Sequence, residues 1–153
     1  MAKAEPASAK ATQAYQQLYR TFSTLDRSHE RWLAGVGSNG ARFAVLSALA
    51  GSDRALTPSD VSTSTGRSPN AISPLLRALQ DEGLIKRAAN SADRRSHFLS
   101  LTAPGRRLAQ KLEKEETAFV RAALGKQSAG DLTTLSKTLA SLEEQVGSVK
   151  RAR

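Results

Sequence analysis

The sequence predicts a mainly α fold that carries one small β-hairpin. Apolar residues recur at steps of three and four over much of the chain, the period of a helix buried on one face. Two helix-start signals, Thr57-Pro58 and Ser68-Pro69, lie close together and are followed by glycine stops at Gly66 and Gly83. One stretch, His97–Leu101, alternates with the period of two that a half-buried strand requires.

Taken in order, residues 1–11 carry Lys3, Glu5, Pro6 and Lys10 but no apolar core, so they read as a flexible tail and not as a signal peptide. Tyr15, Leu18, Tyr19, Phe22, Leu25, His29, Trp32 and Leu33 then fall on one helical face, and Gly35, Gly37 and Gly40 break it. A second helix is expected from about Ser38, with Phe43, Leu46 and Leu49 inward, ending at Gly51-Ser52-Asp53. Thr57 suits an N-cap, Pro58 the first helical position, and Asp60 the positive end of a short third helix. The helix after Ser68 buries Ile72, Leu75, Leu76 and Leu79 and stops at Gly83, a left-handed cap with Leu84 available for its hydrophobic contact. Strands are expected over 84–87 and His97–Leu101, joined by a polar loop over 88–95. Thr102 caps a long helix with Leu108, Leu112, Phe119 and Leu124 on one side. The last helix has the cleanest period: Leu132, Leu135, Leu139, Leu142, Val146 and Val149 form a narrow seam suited to a partner helix. The expected organisation is a tail (1–11), an N-terminal helix (12–38), a region of short helices and hairpin (39–101) and C-terminal helices (102–150).

Composition narrows the function. The 153 residues suffice for a domain with a core, and the net charge of +9 suits a polyanionic partner. Between residues 39 and 108 there are ten Lys/Arg against five Asp/Glu, more than half of the total excess. The absence of cysteine excludes disulfides, thiolate metal sites and cysteine nucleophiles, and fits a cytoplasmic location. No apolar run approaches the ~20 residues of a membrane span. His29 and His97 lack metal-ligand spacing, although His29 adjoins Glu30. No nucleophile–base pair or phosphate-binding glycine loop stands out, so neither a cofactor nor an enzymatic reaction is expected.

Two short helices around a tight turn, followed by a hairpin, outline a winged helix-turn-helix. The second helix of such a pair enters the DNA major groove, where base-edge patterns are distinct, and the hairpin reaches flanking backbone or minor groove. Small polar residues on the first turns, Ser68, Asn70 and Ser73, permit close approach to base edges. Asn70 can pair bidentately with adenine, and Arg77 can reach guanine or phosphate. Arg67, Lys86, Arg87, Arg94 and Arg95 complete the expected DNA-binding set. An ordinary solvated basic face is the alternative for any one of these arginines.

The motifs resemble the multiple antibiotic resistance regulator (MarR) family. The resemblance runs through Leu56-Thr57-Pro58-Ser59-Asp60-Val61, through residues 66–73 (Gly-Arg-Ser-Pro-Asn-Ala-Ile-Ser), and through Leu75-Leu76-Arg77-Ala78-Leu79. It continues through Glu82-Gly83-Leu84-Ile85-Lys86-Arg87, Asp93-Arg94-Arg95 and Leu101-Thr102-Ala103-Pro104-Gly105. It implies a homodimer whose first and last two helices form the interface, and whose winged helices straddle a pseudo-palindromic operator. It also implies repression relieved by a small-molecule effector, in a cleft between the first two helices and the DNA-binding lobe. Tyr19, Trp32, Arg42 and Phe43 fall there, with Arg42 suited to an anion. The usual reading of these aromatics, with Tyr15 and Phe22, is core packing. The sequence departs from the family at Pro74, where a polar or basic residue is common. Pro74 offers no N–H to the Asn70 carbonyl, so a bend within a continuing helix is expected. The expected function is a sequence-specific repressor; the alternative is an architectural protein binding nucleic acid without sequence preference.

Overall fold

The chain is described by a computed structural model over residues 7–89 and 97–149. These residues form six helices and one two-stranded sheet, in the order α1 (Ala7–Ala34), α2 (Gly40–Ala50), α3 (Pro58–Thr65), α4 (Pro69–Asp81), β1 (Ile85–Ala89), β2 (His97–Leu101), α5 (Ala103–Leu124) and α6 (Ala129–Ser148). They fall into two units, Met1–Glu116 and Thr117–Arg153, with α5 running from the first into the second.

Within the first unit the caps act as the sequence suggests. Thr57 and Asp60 make a reciprocal capping box: the Asp60 amide donates to Thr57 Oγ1 (3.2 Å), and the Thr57 amide donates to Asp60 Oδ2 (2.7 Å). Gly66 closes α3 in the left-handed region at φ 63°. Two residues later Ser68 caps α4, accepting from the Ala71 amide at 3.3 Å. In the turn between these helices the buried Ser62 hydroxyl donates to the Arg67 carbonyl. Helix α4 continues through Pro74 to Asp81. Gly83 follows at φ 70°, and the Leu84 amide closes back on the Leu79 carbonyl at 2.9 Å.

The hairpin pairs antiparallel, with Ile85 opposite Leu101 and Arg87 opposite Leu99. A third segment joins it, because Leu56 bridges Leu99, whose amide donates to the Leu56 carbonyl at 2.7 Å. Residues from every element of the unit then share one core: Leu33 from α1, Val45 and Leu46 from α2, Val61 from α3, Ile72, Leu76 and Leu79 from α4, Ile85 and Leu99 from the hairpin, and Leu112 from α5. Burying each such side chain stabilises by about 1.5–3 kcal/mol.

Several expectations need correction. Helix α1 already runs at Ala7, inside the expected tail, because the stretch before Tyr15 is built of helix formers such as Ala9, Ala11, Gln13 and Ala14. Strand β1 extends to Ala89, beyond the expected end at 87, since the pairing with β2 continues to Ala89–His97. The aromatics of α1 are not core within this chain: Tyr15, Tyr19 and Phe22 are each more than 60% exposed. Among the described residues of the unit, no neighbouring element covers their helical face. Of the expected wing loop, residues 90–95 lie outside the described residues.

In the second unit, α6 begins at Ser128, which accepts from the Asp131 amide at 3.1 Å, and buries none of its residues. Leu135, Leu139, Leu142 and Val146 form an exposed apolar row along it, continued by Val149.

Candidate nucleic-acid interface

Helix α4 has a sharp division of faces. Ile72, Leu76 and Leu79 are at most 1% exposed and tie the helix into the core. Asn70, Ser73 and Arg77, spaced by three and four, share one exposed edge, and Arg67 and Ser68 are exposed in the turn just before it. The structure therefore brings five of the expected DNA-binding residues onto one surface. The Ser73 hydroxyl donates to the Pro69 carbonyl at 2.9 Å, which leaves its oxygen able to accept from outside. Lys86 and Arg87 are exposed on β1. Arg94 and Arg95, with Asp93, lie outside the described residues.

The end of α3 remote from this turn is electrostatically fixed. Arg54 forks onto Asp60, at 2.7 Å to Oδ1 and 3.2 Å to Oδ2. The Arg54 hydrogen bonds, then those from the Thr57 amide and hydroxyl, hold the Asp60 carboxyl well below the usual carboxylate range. Arg42, on the first turn of α2, forks onto Glu82 at the C-cap of α4, with both contacts at 2.6 Å. That contact lowers the Glu82 carboxyl and raises the Arg42 guanidinium, so the pair stays charged over the neutral range.

The four residues considered for an effector are not gathered into one cavity. Arg42 is occupied by Glu82. Tyr19 lies roughly 20 Å along the helix axis from Trp32. Trp32 and Phe43 do converge on the junction of α1, α2 and α5. Trp32 Nε1 donates to Glu115 at 3.1 Å, and Phe43 meets the His29 ring edge-on at 5.9 Å. His29 in turn hydrogen-bonds Glu116 of α5, while Glu30 turns to the Gly40 amide. The partnerships of His29 and Trp32 join residues more than eighty positions apart, and no local spacing announces them. A second feature unseen in the sequence is an open groove of about 480 Å³ between the end of α2, β2 and α5, lined by Ser52, Arg54, Leu99, Arg106 and Gln110 among others.

Residues 36–96 match the sequence model of the MarR family. Over these residues the chain is similar to the MarR family. The match spans α2, α3, α4 and β1, so it contains the exposed α4 edge as well as both cap signals. No curated protein matches by sequence. Among solved structures, AbsC, a MarR family transcriptional regulator from Streptomyces coelicolor, superposes with a TM-score of 0.83 at 23% identity, covering 97% of this chain and all of that one. The S. aureus MepR–DNA complex gives 0.77 at 20% identity over 86% of this chain and 97% of that one. Bordetella bronchiseptica BpsR, whose DNA binding is regulated by 6-hydroxynicotinic acid, gives 0.75 at 20% identity over 86% and 98%. At these identities the likeness shows the fold: a mainly α MarR-type winged helix with long helices on either side in sequence. Among the described residues, no helix is long and apolar enough to cross a membrane.

Proposed function

We propose that this chain is a cytoplasmic homodimer that represses transcription by occupying a pseudo-palindromic operator, each subunit laying α4 in the major groove. The observation that carries this is the division of α4. Its apolar side is locked in the core, while Arg67, Ser68, Asn70, Ser73 and Arg77 stand exposed together. In this reading Asn70 pairs with adenine, Arg77 with guanine or phosphate, and Lys86 and Arg87 of β1 with the flanking backbone. The wing residues Arg94 and Arg95 are assigned to backbone or minor groove on the motif alone. MepR, in complex with DNA, supports this use of the fold.

Dimerisation is supported by two uncovered apolar faces, Tyr15, Leu18, Tyr19, Phe22 and Leu25 on α1 and the leucine–valine row on α6. Release by a small molecule is supported by BpsR, which responds to 6-hydroxynicotinic acid. In this chain Trp32 and Phe43 are the residues we assign to such a cleft. An anion at Arg42 has to displace Glu82, and Tyr19 lies too far along α1 to share the same site.

Selection of duplexes from a random-sequence library, followed by footprinting, tests the reading. Expected are an enriched inverted repeat with half-site centres about 10 base pairs apart, and a preference over scrambled duplex of about 10³ or more. Failure to enrich any sequence, with tight binding to all duplexes, would instead establish an architectural protein.

A further inference from the structure

Four residues, from α1, α2 and the C-cap of α4, form a polar chain through the winged-helix unit. Glu30, near the end of α1, accepts the Gly40 amide on both carboxylate oxygens, at 3.1 and 3.2 Å. Gly40 opens α2. Two residues on, Arg42 forks onto Glu82, which caps the far end of α4. We propose that Glu30, Gly40, Arg42 and Glu82 are positioning residues that set the angle of α4 against α1 and α2, so that operator discrimination depends on them although none lies on the exposed α4 edge. The proposal rests on the reading of α4 as the recognition helix.

Three observations carry it. The first is directionality. Burial of Ile72, Leu76 and Leu79 holds α4 in place, but apolar contact is non-directional and tolerates a small rotation. A planar guanidinium gripping both carboxylate oxygens at 2.6 Å fixes orientation as well as distance. The second is leverage. Glu82 sits at the opposite end of α4 from the Ser68 turn, roughly 18 Å along the helix, so a tilt of about 3° there displaces the first turn by about 1 Å. Base-edge hydrogen bonds do not survive displacements much larger than that. The third is the way the chain is built at its links. A Cβ on Gly40 would lie 2.5 Å from Glu30 Oε1, so the bare α-carbon is what lets Glu30 reach the α2 amide. Among the described residues Arg42 Nε is buried without a hydrogen-bond partner, so Glu82 is the group that holds this guanidinium. Among the described residues no second acceptor holds Arg42 when Glu82 is neutralised.

The experiment uses the full-length chain, with the duplex that the wild type enriches from a random library and a scrambled duplex of the same composition. Glu82→Gln and Arg42→Lys each remove the fork, and are expected to lower the ratio of the two affinities roughly tenfold while leaving scrambled-duplex binding unchanged. Gly40→Ala guards against a folding failure. Alanine is a better helix former than glycine, and the atom it meets is the movable end of Glu30, so the helix stays intact while the first link breaks. It is expected to lower the ratio in the same direction. The exchanged pair R42E/E82R is expected to recover part of the loss. An unchanged ratio in Glu82→Gln and Arg42→Lys overturns the proposal. So does an equal loss on both duplexes, which marks a merely structural pair. If the wild type itself prefers no sequence, the reading of α4 falls and the relay falls with it. A discriminating wild type with equally discriminating variants rejects the relay alone.

Discussion

A Cβ at Gly105 would lie 1.9 Å from the Leu84 carbonyl oxygen. That oxygen already accepts from the Thr102 amide at 3.0 Å, and the Thr102 hydroxyl donates to the neighbouring Gly83 carbonyl at 2.6 Å, so this backbone is held at two points. Thr102 Oγ1 also accepts from the Gly105 amide at 3.2 Å. The Leu-Thr-x-x-Gly motif is therefore a clasp: the threonine ties α5 to the turn after α4, and the glycine allows the helix to lie on that turn. The motif is plain in the sequence, but its reason is not, because the clasp involves Leu84, far from it in the chain. Gly105→Ala is expected to destabilise by about 1–3 kcal/mol through overpacking, read as a lowered urea midpoint; an unchanged midpoint would show that the turn yields freely. Asn70 presents the opposite case. It is exposed on α4 and lies outside the buried core. Asn70→Ala is expected to leave the midpoint unchanged, to weaken binding to the selected duplex by about 1–3 kcal/mol, and to relax preference at one base pair per half-site. Titration against duplexes varied at each position checks this, and equal weakening at every sequence would place Asn70 on phosphate instead.

At the scale of elements, cap and stop signals are legible in the sequence, whereas the start of α1 and the contacts between distant segments are not. The Thr57-Pro58-Ser59-Asp60 start, the Gly66 and Gly83 stops and the α4 face were legible because each is decided within one or two turns of chain. The Leu56–Leu99 bridge was not, since a single residue of strand pairing leaves no periodicity to detect. The exposure of Tyr15, Tyr19 and Phe22 also escaped, because their spacing reports which way they face and not whether a neighbour within the chain covers that face. Arg42 looked like an anion site because Glu82 lies forty positions away. The third helix offers a test by pH. Hydrogen bonds from Arg54, then from Thr57, depress the Asp60 carboxyl in the folded chain, whereas in the unfolded chain an aspartate titrates near ~3.9. The unfolded state thus binds the proton first as pH falls. The stabilisation is fully present above about pH 4 and is lost as pH falls through the lower folded value. Arg54 is exposed, so its share is screened by salt, while the capping bonds from Thr57 are local and less affected. Asp60→Asn is therefore expected to be less stable than wild type near neutrality, with the gap closing on acidification below about pH 4. Urea unfolding of both proteins across that range measures it, and a gap independent of pH would rule out the carboxylate as the source.

At the scale of the whole molecule, the question is how the uncovered apolar faces are satisfied. Helix α6 buries none of its residues, yet Leu135, Leu139, Leu142 and Val146 lie in one row along it. Isolated helices of this length are marginal in water, and in proteins they owe their stability to an apolar face packed on another element. The row recurs by steps of three and four, the spacing of a seam between helices, and α1 offers a second apolar face of similar length. A second copy of the chain would supply both faces at once, which is why we propose a dimer formed through the chain ends. The consequence for DNA is arithmetic. Two winged helices on one inverted repeat bind with the second contact made intramolecular, so loss of the dimer weakens the selected duplex far more than it weakens a single half-site. The double substitution L139E/L142E places two carboxylates in the row without removing any residue of the winged-helix core. It is expected to halve the mass seen in sedimentation and to lower affinity for the full inverted repeat by roughly 10²-fold or more. Affinity for an isolated half-site is expected to stay the same. Binding to both duplexes at matched salt, alongside sedimentation at the same protein concentration, separates the two effects. A variant that remains dimeric and keeps full affinity shows that α6 is not the interface, and one that loses half-site binding as well shows that α6 supports the winged helix itself.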